Sequence, residues 1–128
     1  MKNFYVASKF EDQKMVGEVI DILTSLGYKN TYDWRGGEIL STEQAVLDMN
    51  GVKDADFVVG IFIENHQYKG AIAEIGMALA LNKKVFIIGN WLDKMIFMKL
   101  PNVNKVRDLN HIISQLDLYN TVFREGSD

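Results

Sequence analysis

The sequence predicts an α/β fold on an open, mainly parallel sheet of about five strands, and three observations carry that prediction. Short apolar runs alternate with stretches of helical periodicity along the 128 residues. Two of the runs, residues 57–63 and 85–89, contain no polar side chain, as strands covered on both faces require. A chain this short with regular alternation implies right-handed βαβ crossovers.

Taken in order, residues 4–7 (FYVA) read as the first strand, and residues 11–26 follow with Met15, Val19, Ile22, Leu23 and Leu26 at helical spacing. Ser8 with Glu11 three residues later has the form of a capping box, and Gly27 is placed as a helix terminator. Residues 29–34 read as a second strand and 35–40 as a loop. Residues 41–51 form a second helix whose apolar positions are Ala45, Val46 and Met49. The third strand, 57–63, leads through a polar loop over 64–69 into the run GAIAEIGMALALN, a helix over 71–81. The fourth strand is 85–89, a loop spans 90–101, a short strand covers 103–106, and a final helix runs from about 108 to 119 before a frayed end. The expected strand order is 2-1-3-4-5, a flavodoxin-like three-layer sandwich. Its ligand crevice would lie beyond the carboxyl ends of the strands, at the loops after strands one and three.

Composition narrows the function. The length suits one domain, residues 1–128, with one real core. Apolar residues make up 48% and charged residues 24%, values of an ordinary globular protein. A net charge of −3 offers no broad attraction for polymeric nucleic acid or an anionic membrane. The chain has no cysteine, which excludes disulfides, thiolate catalysis and thiolate metal sites. NFYVAS begins without an apolar leader, and no apolar stretch approaches the roughly 18 residues of a membrane span, so a cytoplasmic location is expected. His66 and His111 lack ligand spacing; no metal and no cofactor is assigned.

Glu74 is the most informative residue. It is the only charged group between Gly70 and Asn82, and a carboxylate among apolar residues is either tethered to a partner or kept for chemistry. A place near the first turn of its helix would favour the ionised, nucleophilic form. Asp56, at the start of the third strand, is the other candidate acid. Two carboxylates in different environments can divide the labour of glycosyl transfer, one as nucleophile and one as proton donor, without a metal. The plainer alternatives are a helix-start acid complementing the dipole and an aspartate in a turn. Phe10 and Trp34 are pocket candidates by their loop-adjacent placement, and core residues otherwise. Ser8 and Lys9 could meet a phosphate near the first helix. The helix over 71–81 is apolar nearly all round, so self-association through it is expected.

The segments FYVAS, TYDW, DADFVVGIFI and GAIAEIGMALALNKKVFIIGN resemble the nucleoside 2-deoxyribosyltransferase family over most of residues 3–90. The most specific part is Gly70, Glu74, Gly76 and Ala78 followed by Lys83 and an apolar strand. The resemblance implies a flavodoxin-like domain and a homodimer or larger homo-oligomer with sites completed by a neighbour. It also implies cleavage of the N-glycosidic bond of a 2-deoxynucleoside or, as in related hydrolases, its 5′-monophosphate. On that basis Glu74 is the nucleophile, Asp56 assists protonation of the base, Tyr5 orients Glu74, and Phe10 packs on the base. Gly70, Tyr68, Trp34, Ser8 and Lys9 complete the substrate site. Tyr68 stands where typical transferases carry a second acid, six residues before the nucleophile. A nucleotide-binding module without turnover is the alternative function, and a purely structural oligomer a third reading.

Overall fold

The structure, a computed structural model, describes residues 1–37, 40–63 and 68–126. Strands and helices alternate as β1 (Asn3–Ala7), α1 (Gln13–Ser25), β2 (Lys29–Asn30), α2 (Thr42–Asp54), β3 (Phe57–Ile61), α3 (Lys69–Ala80), β4 (Lys84–Ile88), β5 (Val103–Val106) and α4 (Leu109–Gly126). The sheet has the order β2-β1-β3-β4-β5 with every pairing parallel, as expected from the alternation.

Strand periodicity divides the core into two layers. Phe4 and Val6 of β1, Phe57, Val59 and Ile61 of β3, and Phe86 and Ile88 of β4 pack against Val16, Val19 and Leu23 of α1 and Ile112 and Leu116 of α4. The intervening residues Tyr5, Ala7, Val58, Val85 and Ile87 face α2 and α3 through Val52, Ala71, Ile75 and Ala78. This is a flavodoxin-like three-layer sandwich, and it puts Tyr5 on the same side of the sheet as α3. No helix among the described residues is long and apolar enough to cross a membrane.

The helix ends follow local chemistry. Gly27 takes φ +97°, its N–H donating to Thr24 and the Tyr28 N–H to Leu23, the double bond that closes a helix on a left-handed residue. Asn82, at φ 58°, closes α3 in the same way. The Ser41 hydroxyl accepts from the Gln44 N–H at 3.0 Å and starts α2.

Several sequence expectations need correction. The capping box at Ser8 does not form: residues Phe10–Asp12 make a 3₁₀ turn and α1 starts at Gln13. The Ser8 hydroxyl instead lies between Asp12 Oδ2 at 2.9 Å and the Ile61 carbonyl at 3.2 Å. The second strand is only Lys29–Asn30. Beyond it the Thr31 side chain turns toward the Gly51 carbonyl, and Trp34–Gly36 is a 3₁₀ turn capped by Asp33. In α2 the expected apolar positions Val46 and Met49 are exposed, and Gly51 and Val52 are the buried ones. The last helix continues to Gly126 rather than stopping near 119. Most of the loop expected over 64–69, with His66, lies outside the described residues.

Candidate active site

A cavity of about 550 Å³ opens beyond the carboxyl ends of β1 and β3, where an open parallel sheet puts its ligands, and its size suits a small molecule. Glu74 reaches it from α3 and Tyr5 from β1. The loop after β1 contributes Ser8, Lys9 and Phe10, the turn after β2 contributes Trp34, and the start of α3 contributes Tyr68 and Gly70. Eight of the nine residues expected from the sequence thus meet at one cavity.

The centre of the site is a hydrogen bond from the Tyr5 hydroxyl to Glu74 Oε2. Tyr5 is completely buried, and its backbone is locked opposite Val58 in the sheet. Burial, followed by the neighbouring Glu74 charge, pushes the Tyr5 pKa far above the usual range, so the phenol remains a donor. Glu74 lies in the second turn of α3, since the helix begins at Lys69, earlier than expected. The free N–H groups of the first turn are therefore not its partners. Burial raises its pKa to about 8, opposed by the Tyr5 bond and reinforced by the charge of Asp48. Glu74 is thus largely protonated at neutral pH, contrary to the expectation from a helix-start position.

Asp56 is not brought to this site. It is exposed, at the amino end of β3, and its Oδ2 accepts the backbone N–H groups of Lys2 at 2.8 Å and Asn3 at 2.9 Å. Partial burial works to raise its pKa, but those two bonds, the N-terminal ammonium and Lys83 outweigh it and hold the carboxyl below its ordinary value. Its work is to tie the start of β1 to β3. A depressed carboxylate contributes stability above its unfolded pKa that is lost as pH falls through its folded pKa. Asp56→Asn is expected to cost about 1–2 kcal/mol in urea unfolding at pH 7, with a smaller difference in acid and ligand binding at the cavity unchanged.

Of the acids that line the cavity with Glu74, Glu11 is exposed and Asp48, on α2, is partly buried. Burial raises its pKa, and the amide of Gln44 opposes that shift. Gln44 Nε2 donates to Asp48 Oδ1 at 3.0 Å and to the Tyr32 hydroxyl at 2.9 Å, joining the acid to the chain after β2. Sequence reasoning passed over both residues, although a signal existed. Positions 44, 48, 51, 52 and 55 form one helical stripe, polar at its start and apolar at its end.

The remaining residues shape the walls. The Trp34 indole N–H donates to the Val6 carbonyl at 2.7 Å, so its ring serves the core and the cavity together. Tyr68 is buried against Phe62, ring centroids 4.8 Å apart, and makes this wall aromatic where a second acid was the alternative. Lys9 is buried, its ammonium 5.3 Å from the Tyr68 ring centroid and 4.0 Å from Asp12 Oδ1. Phe10, about half exposed, stands at the rim.

Fold and cavity together define a flavodoxin-like α/β domain with the acids Glu11, Asp48 and Glu74 and an aromatic wall at the strand carboxyl ends. Its shape is shared with a CMP N-glycosidase of Clostridium botulinum, at a TM-score of 0.66 and 22% identity over 92% of this chain and 100% of that one. It is also shared with a 2-deoxyribosyltransferase of Bacillus psychrosaccharolyticus, at a TM-score of 0.64 and 24% identity over 86% of this chain and 89% of the other. At such identities the likeness is one of fold. No protein-family model matches the chain, and no curated protein matches it.

Proposed function

We propose that the chain is a cytoplasmic enzyme, its 128 residues acting as one domain, that cleaves the N-glycosidic bond of a 2-deoxynucleoside or its 5′-monophosphate. The observation that carries this reading is the Glu74 carboxyl in the cavity wall, oriented by the Tyr5 hydroxyl. The activities named for the two proteins of similar fold, both on the bond between a sugar and a base, support it.

In the proposed reaction Glu74 first gives up its proton to solvent, and a carboxylate oxygen then forms a bond to the anomeric carbon as the bond from that carbon to the base nitrogen breaks. The base leaves with the bonding pair and takes a proton from Asp48. The resulting deoxyribosyl ester is opened by a nitrogen of a second base or by water, and the proton released returns to Asp48. Two displacements at one carbon retain its configuration. Burial suits both acids: it raises the proton affinity of Asp48, as a proton donor requires, and makes the Glu74 anion, once formed, poorly solvated and reactive. Asp48 replaces Asp56 in the role of acid because Asp48 lines the cavity, partly buried, and Asp56 does not line it.

A second reading, a nucleotide-binding module without turnover, draws on the high pKa of Glu74 and on the aromatic Tyr68 at its wall. Chromatographic detection of free base decides between them. The panel contains 2-deoxynucleosides and their 5′-monophosphates, each with and without an acceptor base. Base release is expected, and acceptor dependence separates transfer from hydrolysis. Saturable binding with no release would favour the module. Self-association belongs to the same proposal: Met77 on α3, Leu81 just after it, and Val46 and Leu47 on α2 are exposed apolar side chains. A monomeric mass in sedimentation at micromolar concentration would remove that part.

A further inference from the structure

We propose that Gly51 is a positioning residue for this centre: the missing side chain lets α2 seat directly on the Tyr5 ring, and that seating holds the Tyr5 hydroxyl on Glu74 and brings Asp48 to the same wall. The proposal deepens the reading of Glu74 as the reacting group and rests on it where activity is concerned.

Gly51 lies inside α2, where glycine is less favourable than alanine, and its φ is not in the left-handed region. Conformation therefore does not require glycine there; space does. A Cβ built on its backbone would fall 2.8 Å from both Cδ1 and Cε1 of Tyr5 and 3.0 Å from Cβ of Tyr32. Carbon atoms in favourable contact sit about 3.5–4.0 Å apart, so a methyl group must displace the ring or the helix.

Neither has an easy retreat. Tyr5 is fully buried in a strand paired on both sides, and the Gly51 carbonyl accepts from Thr31 Oγ1 at 2.6 Å, which ties this turn of the helix to the chain leaving β2. The displaced atoms are those that matter at the site. The phenol oxygen lies at the far end of the ring that Gly51 touches. Asp48 is one turn earlier on the same face of α2, and Gln44 a turn before that, with its amide on both Asp48 and the Tyr32 hydroxyl.

The charged and titratable groups that line the cavity with Glu74 are Tyr5 from β1, Asp48 from α2, Lys9 and Glu11 from the segment after β1, and Tyr68 and Lys69 at the start of its own helix. Among them Tyr5 is the one that hydrogen-bonds to Glu74 and lowers its pKa, so moving the ring has a defined readout.

The experiment is a ¹³C NMR titration of glutamate side-chain carboxyls in the full chain, with Glu74→Gln assigning the resonance. It compares wild type, Gly51→Ala, Tyr5→Phe and the double variant. Gly51→Ala is expected to raise the Glu74 midpoint by about 0.5 unit or more, in the direction of Tyr5→Phe, and to lose that increment in the Tyr5→Phe background, where only the displacement of Asp48 is left to act. In base release, kcat should fall by about tenfold with a smaller change in KM. An unchanged midpoint in folded Gly51→Ala, or an equal increment in both backgrounds, overturns the proposal. Because the titration needs no turnover, a wild type that releases no base would count against the enzymatic reading and leave this test intact. Should Gly51→Ala not fold, Gly51→Ala with Tyr5→Val removes the ring atoms that the methyl group meets. Recovery of folding then supports the contact, and failure to recover overturns it.

Discussion

Glu74→Gln is expected to abolish base release and, at the same time, to make the protein more stable in mild alkali. The loss of activity should be about 10³-fold or more, because an amide oxygen cannot form the glycosyl ester. The gain in stability follows from linkage. The folded pKa of Glu74 is about 8 against an ordinary 4.5, so between those values the folded chain holds a proton that the unfolded chain has released. The contribution of the group is fully present below about pH 4.5 and is lost as pH rises through about 8. Glutamine keeps an acceptor for the Tyr5 hydroxyl and has no proton to lose. Thermal unfolding of the two proteins should coincide near pH 4 and diverge toward pH 8, by on the order of 3 kcal/mol after discounting for solvent screening. Coincident curves at every pH would mean that Glu74 is solvated, and surviving base release would remove it from the chemistry.

Asp48→Asn carries the second large expectation. Loss of a positioned general acid lowers rates by about 10²–10⁴-fold, and the loss should depend on the base that leaves. A purine or pyrimidine that departs as an anion needs the proton. A 7-methylated guanine, already cationic in the nucleoside, does not. Base release from the ordinary deoxynucleoside should therefore collapse in Asp48→Asn, while release from the 7-methylguanine analogue falls far less. The substitution also removes a negative charge that raises the Glu74 pKa, so the acid limb of the pH profile should move to lower pH. Equal losses on both substrates would assign Asp48 to architecture rather than proton transfer.

The two candidate acids of the sequence had different fates for a physical reason. Glu74 was legible because a lone charge in an apolar helix is costly wherever the helix packs, and the structure meets that cost with the Tyr5 hydroxyl. Asp56 was carried by the family resemblance, although it precedes its strand. Parallel pairing keeps it at the amino end of β3, the opposite end of the sheet from the cavity. Asp48 escaped notice because Val46 and Met49 suggested the wrong buried face for α2. The helix packs instead through Gly51 and Val52, and that rotation turns Gln44 and Asp48 inward.

By itself the sequence determined the alternation of strands and helices, the two fully buried strands, the strand order and the segments that meet at the crevice. Those features rest on periodicity and on the handedness of crossovers, which are local or nearly so. Only the tertiary structure decided which second acid faces Glu74, that Tyr5 holds it, and that burial rather than the helix dipole sets its proton affinity. These depend on how closely α2 and α3 approach the sheet. That distance is set by contacts between residues far apart in the chain, such as Gly51 against Tyr5, and sequence spacing does not encode it.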